Sequence, residues 1–255
     1  MAGDRTGAGG RAAREKRAGS GDGPARRASD RGRYGRLSRE RVLACALRLV
    51  DRDGLSALSM RRLGAELGVE AMALYRYADG KDGLLDGLVE ALYLELDERL
   101  AREPAAADPG TVPPWRTELH RAARALYDVC VAHPQVVPLL STRMLAVPLA
   151  RRPAAVLREH ERLLVLLSGA GADEARTAAL FRAVTAWLLG YVSVELRPMV
   201  DNPEESDPAF RLGLHRMPPR DLPTLRERVP SLAGRGGPEA LAAGLDALLD
   251  RFLAA

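Results

Sequence analysis

The stretch Ala71-Met72-Ala73-Leu74-Tyr75-Arg76-Tyr77 gathers side chains that could do chemistry at a surface, in a chain whose aromatic content is only 4%. Two phenols bracket a guanidinium, small or flexible residues precede them, and Lys81 follows shortly after. Tyrosine hydroxyls and a lysine ammonium suit phosphate oxygens. The guanidinium of Arg76, with those of Arg61 and Arg62 upstream, can fork onto N7 and O6 of guanine, and Met72 and the alanine methyls can meet thymine methyls. Small residues at the tip allow close approach to a groove floor. The competing reading is that the tyrosines only cover a joint between two helices, and the order of the surrounding elements weighs against it.

That order is helix, turn, helix. Ser38 suits the cap of a helix running to about Arg52, with Val42, Cys45 or Ala46, Leu49 and Val50 as its buried stripe and Gly54 as its stop. Ser59 caps a second helix of about two turns carrying Met60, Leu63 and Leu67, ended by Gly68. A third runs from Ala71 to about Tyr77. Leu74 is its one apolar anchor, predicted to pack on Leu63, Leu67 and Val69 and to leave Ala71, Met72, Ala73, Tyr75, Arg76 and Tyr77 facing outward. Lys81 and Asp82 then open a long helix, Leu84 to about Leu100. Two short helices joined through a glycine turn form the helix-turn-helix arrangement, whose second helix enters the major groove.

The run "LSMRRLGAELGVEAMALYRYADGKDGLLDGLVEAL" resembles the DNA-binding head of the tetracycline-repressor (TetR) family, over residues 38–92. The resemblance implies a homodimeric, all-helical repressor that a small ligand releases from its operator. It implies that Arg61, Ala71, Met72, Ala73 and Arg76 read bases while Ser59, Tyr75, Tyr77 and Lys81 grip phosphates. Ala71 and Ala73 offer fewer hydrogen bonds than many members have there. "PWRTELHRAARALYDVCVAHPQVVPLLSTR" and the closing "GLDALLDRFLAA" are similar to the ligand-binding half of the family's tetracycline-sensing branch. After "AHP" that branch carries a histidine that helps hold a magnesium–drug complex; Leu139 and Leu140 stand here instead, so sensing by that metal route is not expected.

The rest of the chain fits an all-α fold: a three-helix helix-turn-helix head on a larger helical bundle for ligand binding and dimerisation. Isoleucine is absent, threonine is sparse, and Ala, Leu, Arg and Glu dominate. Residues 1–36 carry ten basic and four acidic groups, a net +6; residues 37–81 carry a net +2, which leaves −4 for the remainder of a chain of net +4. A basic front on an acidic body fits a nucleic-acid-binding head. The Gly-, Ala- and Arg-rich residues 1–36 read as a disordered tail, 37–82 as the head with a connecting helix to about 101, and 111–255 as the body. Body helices are predicted from Pro113-Pro114 to His133, near Val136–Thr142, from about Pro153 to Leu167, from Asp173 to about Leu196 and from Pro238 onward, with 197–237 irregular.

Within the fourth of these, Ala183 to Val194 is apolar on every face of the helix, which one layer of core does not explain. A twofold partner does, through the 173–196 and 238–255 helices in a four-helix bundle. The run's twelve residues are too short for a bilayer span, and the N-terminus has no apolar leader. Cys45 and Cys130 read as buried free thiols in a reducing, cytoplasmic setting. Candidate ligand-pocket residues are Trp115, His120, Tyr127 and Met144, together with His160, Phe181, Trp187 and Tyr191. They suggest an apolar cavity with a few polar handles. No metal spacing joins the four histidines, and no catalytic motif or cofactor loop is present. Expected partners are therefore a double-stranded DNA operator, a small-molecule effector and a second copy of the chain, with no catalytic, metal or cofactor site. The rival functions are a helical enzyme using the same cavity and an adaptor that binds only protein.

Overall fold

The computed structural model describes residues 37–102, 112–202, 204–218 and 220–254. The tail read in residues 1–36 and the joint at Asp108-Pro109-Gly110 lie outside the described residues. Residues 37–255 form one compact unit, so the head and body are regions of a single packed structure. Among the described residues every regular element is helical.

Three helices build the head. In α1 (Arg39–Asp53), the Ser38 hydroxyl accepts from the Arg41 amide and Gly54 closes the end at positive φ. In α2 (Met60–Leu67), the Ser59 hydroxyl accepts from the Arg62 amide at 3.2 Å, and Gly68 ends the helix in the left-handed region. Such a conformation is costly for any residue with a Cβ. Gly64 is equally constrained: a Cβ there would sit 2.8 Å from the Val69 carbonyl oxygen, so its absence lets the turn fold back onto α2. Regular helix in α3 covers Ala71–Leu74 only. It continues as a looser turn in which the Tyr77 amide donates to the Leu74 carbonyl, so the predicted helix to Tyr77 is one turn shorter in strict terms. Leu74 is fully buried and is the one buried residue of that helix. Truncation to Leu74→Ala should cost about 2–5 kcal/mol, the range for buried leucines, and should melt the head before the body. Thermal unfolding compared with amide exchange at Leu63 and Leu67 checks this.

The long helix α4 (Gly80–Arg102) carries the head into the body. It packs on α1 on one side and on α5 (Pro114–Ala132) and α7 (Ala154–Ser168) on the other. Of the row that the spacing predicts, Leu84, Leu88, Leu92 and Leu96 are buried, while Leu85 is only half-buried. Gly87 allows α1 to ride close, because a Cβ there would meet a Leu43 methyl carbon at 2.3 Å. The short α6 (Val137–Leu139) runs into one wide turn, Leu140–Met144. The longest element, α8 (Glu174–Asp201), starts at the Asp173 cap and packs on α7 and on the last helix.

Two expectations are corrected here. The prolines of 197–237 suggested irregular chain, yet α8 runs on to Asp201 through Pro198, and α9 (Pro208–Arg211) and α10 (Pro223–Leu232) follow before α11 (Gly237–Leu253). Proline lacks only a donor that a first helical turn does not use, and Pro208 and Pro223 occupy such positions. The twelve-residue limit on an apolar run was also too narrow: α8 has 28 residues and is long and apolar enough to cross a membrane. Its Leu180, Val184, Leu188, Val192 and Leu196 row is buried in the protein core instead.

Candidate functional site

The head presents an exposed, cationic edge. Met72, Tyr75 and Arg76 face solvent on and just after α3, Arg61 does so on α2, and Lys81 does so at the start of α4. Arg61, Arg76 and Lys81 hold no ion pair among the described residues. Ala71 and Ala73 are half-buried at the base of the same edge. Arg62 is less available, since its guanidinium lies 2.7 Å from Asp53 Oδ2. Tyr77 departs from the outward placement. It is half-buried against the core, its hydroxyl donates to the Leu37 carbonyl at 2.9 Å, and its backbone carbonyl accepts from the Arg39 guanidinium. Arg76 lies 6.0 Å from its ring centroid. Tyr77 is therefore held as a strut that fixes the end of α3 against the start of α1. Ser59 likewise uses its hydroxyl on the Arg62 amide.

Two polar joints connect this head to the body. Arg143, in the wide turn after α6, is paired with Asp82 in the first turn of α4 and lies 3.7 Å from Asp86. His133, just past the end of α5, stands between Asp51 of α1 and Glu95 of α4, 2.8 Å from each. The hydrogen bond to Asp51, and then that to Glu95, hold its imidazole above the usual histidine range against the opposing effect of burial. A histidine raised in this way stabilises the fold fully below its unfolded value of about 6.5. That contribution is lost as pH rises through the higher folded value. The His133→Gln variant should therefore lose thermal stability relative to the native chain at pH 6 and converge with it at alkaline pH. A difference that is constant across that range would refute the assignment.

The body holds a narrow, partly open cavity between α4, α5, α7 and α8. Leu119, Leu126, Leu163, Leu166, Leu188 and Leu189 make its apolar walls, and Tyr93, Glu159, His160 and Thr185 are its polar handles. Burial pushes the Glu159 carboxyl up to about 7; Arg162 acts against this while Asp97 and Glu118 add to it. One carboxylate oxygen, Oε2, accepts from Arg162 at 2.8 Å. His160 has both ring nitrogens engaged, Nδ1 2.7 Å from the Val156 carbonyl and Nε2 3.1 Å from the Arg152 guanidinium, and burial depresses its pKa. The Tyr93 hydroxyl reaches Met144 Sδ at 3.2 Å. The Thr185 hydroxyl is buried with no partner among the described groups.

Of the eight residues selected from the sequence, His160 lines this cavity directly, Phe181 packs on its ring at 5.5 Å between centroids, and Met144 lies behind Tyr93. The other five do not line it. Trp187 Nε1 donates to the Leu241 carbonyl, the Tyr191 hydroxyl donates to the Gly237 carbonyl, and Arg235 donates to the Tyr127 hydroxyl. His120 joins Arg116 on Asp246 of α11. These four therefore pin the last helix and its approach to α5 and α8. Trp115 is half-buried beneath Gly169. Glu159, Tyr93 and Thr185 were missed. Glu159 had left a signal: an acid three residues after Val156 and four before Leu163, on an otherwise apolar helix face.

A magnesium–ligand complex does not fit this cavity. Leu139 and Leu140 are buried and offer no donor, the lining has one carboxylate, and its one imidazole is fully engaged. Among the described residues no three His, Cys, Asp or Glu side chains converge as a metal site requires.

Comparison with known proteins gives a match for each part. Residues 42–88 match the description "Bacterial regulatory proteins, tetR family" and residues 108–253 match "Tetracyclin repressor-like, C-terminal domain". The chain is 33% identical over 159 residues to an HTH-type transcriptional regulator of Saccharopolyspora erythraea, covering 62% of this chain and 61% of that one, less than two thirds of its length. It is 31% identical over 200 residues to the HTH-type transcriptional repressor DrrR1 of Streptomyces coeruleorubidus, covering 75% and 68%. In three dimensions it is similar to a possible TetR family transcriptional regulator from Streptomyces coelicolor, at 25% identity and a TM-score of 0.65, over 85% of this chain and 99% of that one.

Proposed function

The chain belongs to the tetR family of bacterial regulatory proteins, and from that premise we propose that it is a ligand-responsive transcriptional repressor, acting in the cytoplasm as a homodimer without catalysis. The observation that carries the reading is the exposed edge of Met72, Tyr75 and Arg76, seated by the fully buried Leu74 and flanked by Arg61 and Lys81. A duplex groove is the surface whose donors, acceptors and phosphates match that set. Two copies paired through α8 and α11 would offer the edge twice, about 34 Å apart, to a palindromic operator.

The effector site is the body cavity. Its wall includes Tyr93 of α4, and the same rigid helix carries Lys81 and Asp82 at its head end. A molecule wedged against Tyr93 would tilt α4, strain the Arg143 pairing and change the spacing of the two reading edges. A coupling of about 1–3 kcal/mol between effector and operator is typical and gives a several-fold to hundredfold switch.

The test is protection of an intergenic palindrome by the purified protein, followed by its release with candidate compounds. Binding should fall steeply with salt, because phosphate contacts release counterions. Lys81→Ala should weaken binding evenly across sequences and lower the salt slope by about 1 per protomer. A protein that stays monomeric and ignores every duplex at low ionic strength would overturn the reading.

A further inference from the structure

The cavity's chemistry narrows what can occupy it. Its walls are leucine and alanine, its lining includes no lysine or arginine, and its one carboxylate, Glu159, has Oε2 taken by Arg162 while Oε1 has no partner among the described residues. The Thr185 hydroxyl on the α8 wall is also unpartnered. His160 cannot act as a free donor or base, since the Val156 carbonyl and Arg152 occupy its two nitrogens. An anion would be buried against a carboxylate with no lining cation to receive it. A neutral hydrocarbon would leave Oε1 and the Thr185 hydroxyl without partners, each at the cost of a buried unmatched polar group.

Resting on the reading of this cavity as the effector site, we propose that the effector is an amphipathic amine cation: a flat apolar body held between the leucines of α5, α7 and α8, with its ammonium nitrogen donating to Oε1 of Glu159 and a second polar group meeting Thr185. The raised carboxyl supports this, because an acid pushed up to about 7 by burial is one whose charge the protein leaves only partly compensated. The charged groups that face Glu159 are Asp97 of α4, Glu118 and Arg121 of α5 and Arg162 of its own helix, and His160 shares the cavity.

Three tricyclic fluorophores of one ring size separate the possibilities: 9-aminoacridine as the cation, acridone as the neutral probe and 9-anthroate as the anion. Titrated into the full-length protein, the cation should bind best. In Glu159→Gln its affinity should fall by about tenfold or more, the scale of a charge-assisted hydrogen bond, while acridone stays within about twofold and reports that the cavity is intact. In the native protein, affinity for 9-aminoacridine should rise between about pH 6 and 8 as Glu159 ionises, with acridone flat. Glu159→Gln should abolish that rise, whereas a rise due to His160 would persist. Equal binding of cation and neutral probe, or a cation preference that survives Glu159→Gln, overturns the amine assignment and leaves the cavity as the effector site. Failure of all three probes to bind overturns the effector site itself, and the amine assignment with it.

Discussion

Arg76→Ala should weaken operator binding by at least about thirtyfold and leave probe binding in the body cavity unchanged. A guanidinium forked onto a guanine is worth about 1–3 kcal/mol of discrimination, and a twofold dimer makes the contact once in each half-site. Arg76 is exposed, and among the described residues its guanidinium touches only the ring of Tyr77, so its removal disturbs little in the fold. The variant should therefore keep its thermal midpoint and its dimeric state, and the loss should concentrate at one base pair of each half-site when the operator is varied. Met72→Ala, which deletes an exposed apolar contact, should cost less and act at a different base pair. Tyr77→Phe behaves differently again: it deletes the hydroxyl that holds the Leu37 carbonyl, so it should lower head stability and operator affinity together. A loss of affinity that is the same for every duplex would place Arg76 on the phosphates instead.

The contrast between Arg76 and Tyr77 also marks where the sequence was readable. Positions whose role is local were legible: Ser38, Ser59 and Asp173 cap the helices they precede, Gly68 ends α2 in the left-handed region, and Leu74 is the buried anchor of α3. Each depends on neighbours within a turn or two. Tyr77 depends on Leu37, forty residues away, and no local pattern carries that. The cavity was less legible for the same reason. Aromatic residues were the natural candidates for its wall, yet Trp187, Tyr191 and Tyr127 use their polar tips on the last helix and its approach. Leucines from three helices line the cavity instead, and leucines are too common to single out. Proline is ambiguous for a different reason: its density over 197–237 suggests a broken chain, yet a helix start tolerates it at Pro208 and Pro223, and α8 accommodates Pro198 within its last turn.

Gly244→Val should convert the dimer to monomer and, through that, reduce operator affinity by about 10²–10⁴-fold, the range lost when two linked contacts become independent. Gly244 lies on α11 where the indole of Trp187 covers it; a Cβ at that position would be 2.0 Å from Trp187 Cζ2. The side chain cannot be added without swinging the ring away, and the ring is fixed by the hydrogen bond from Nε1 to the Leu241 carbonyl and by Tyr191 at 5.5 Å between centroids. Overpacking of this kind costs about 1–3 kcal/mol where the core can shift. Here the ring's two anchors lie on α11 and α8, so displacing it loosens the packing of these helices, which form the proposed twofold bundle. Neither Gly244 nor Trp187 lines the cavity, so 9-aminoacridine should still bind and the helical signal should persist. Sedimentation of the variant against its DNA affinity decides the matter: a variant that remains dimeric with Trp187 displaced would move the twofold contact away from these helices, while a monomer that still protects a palindrome would remove the need for one.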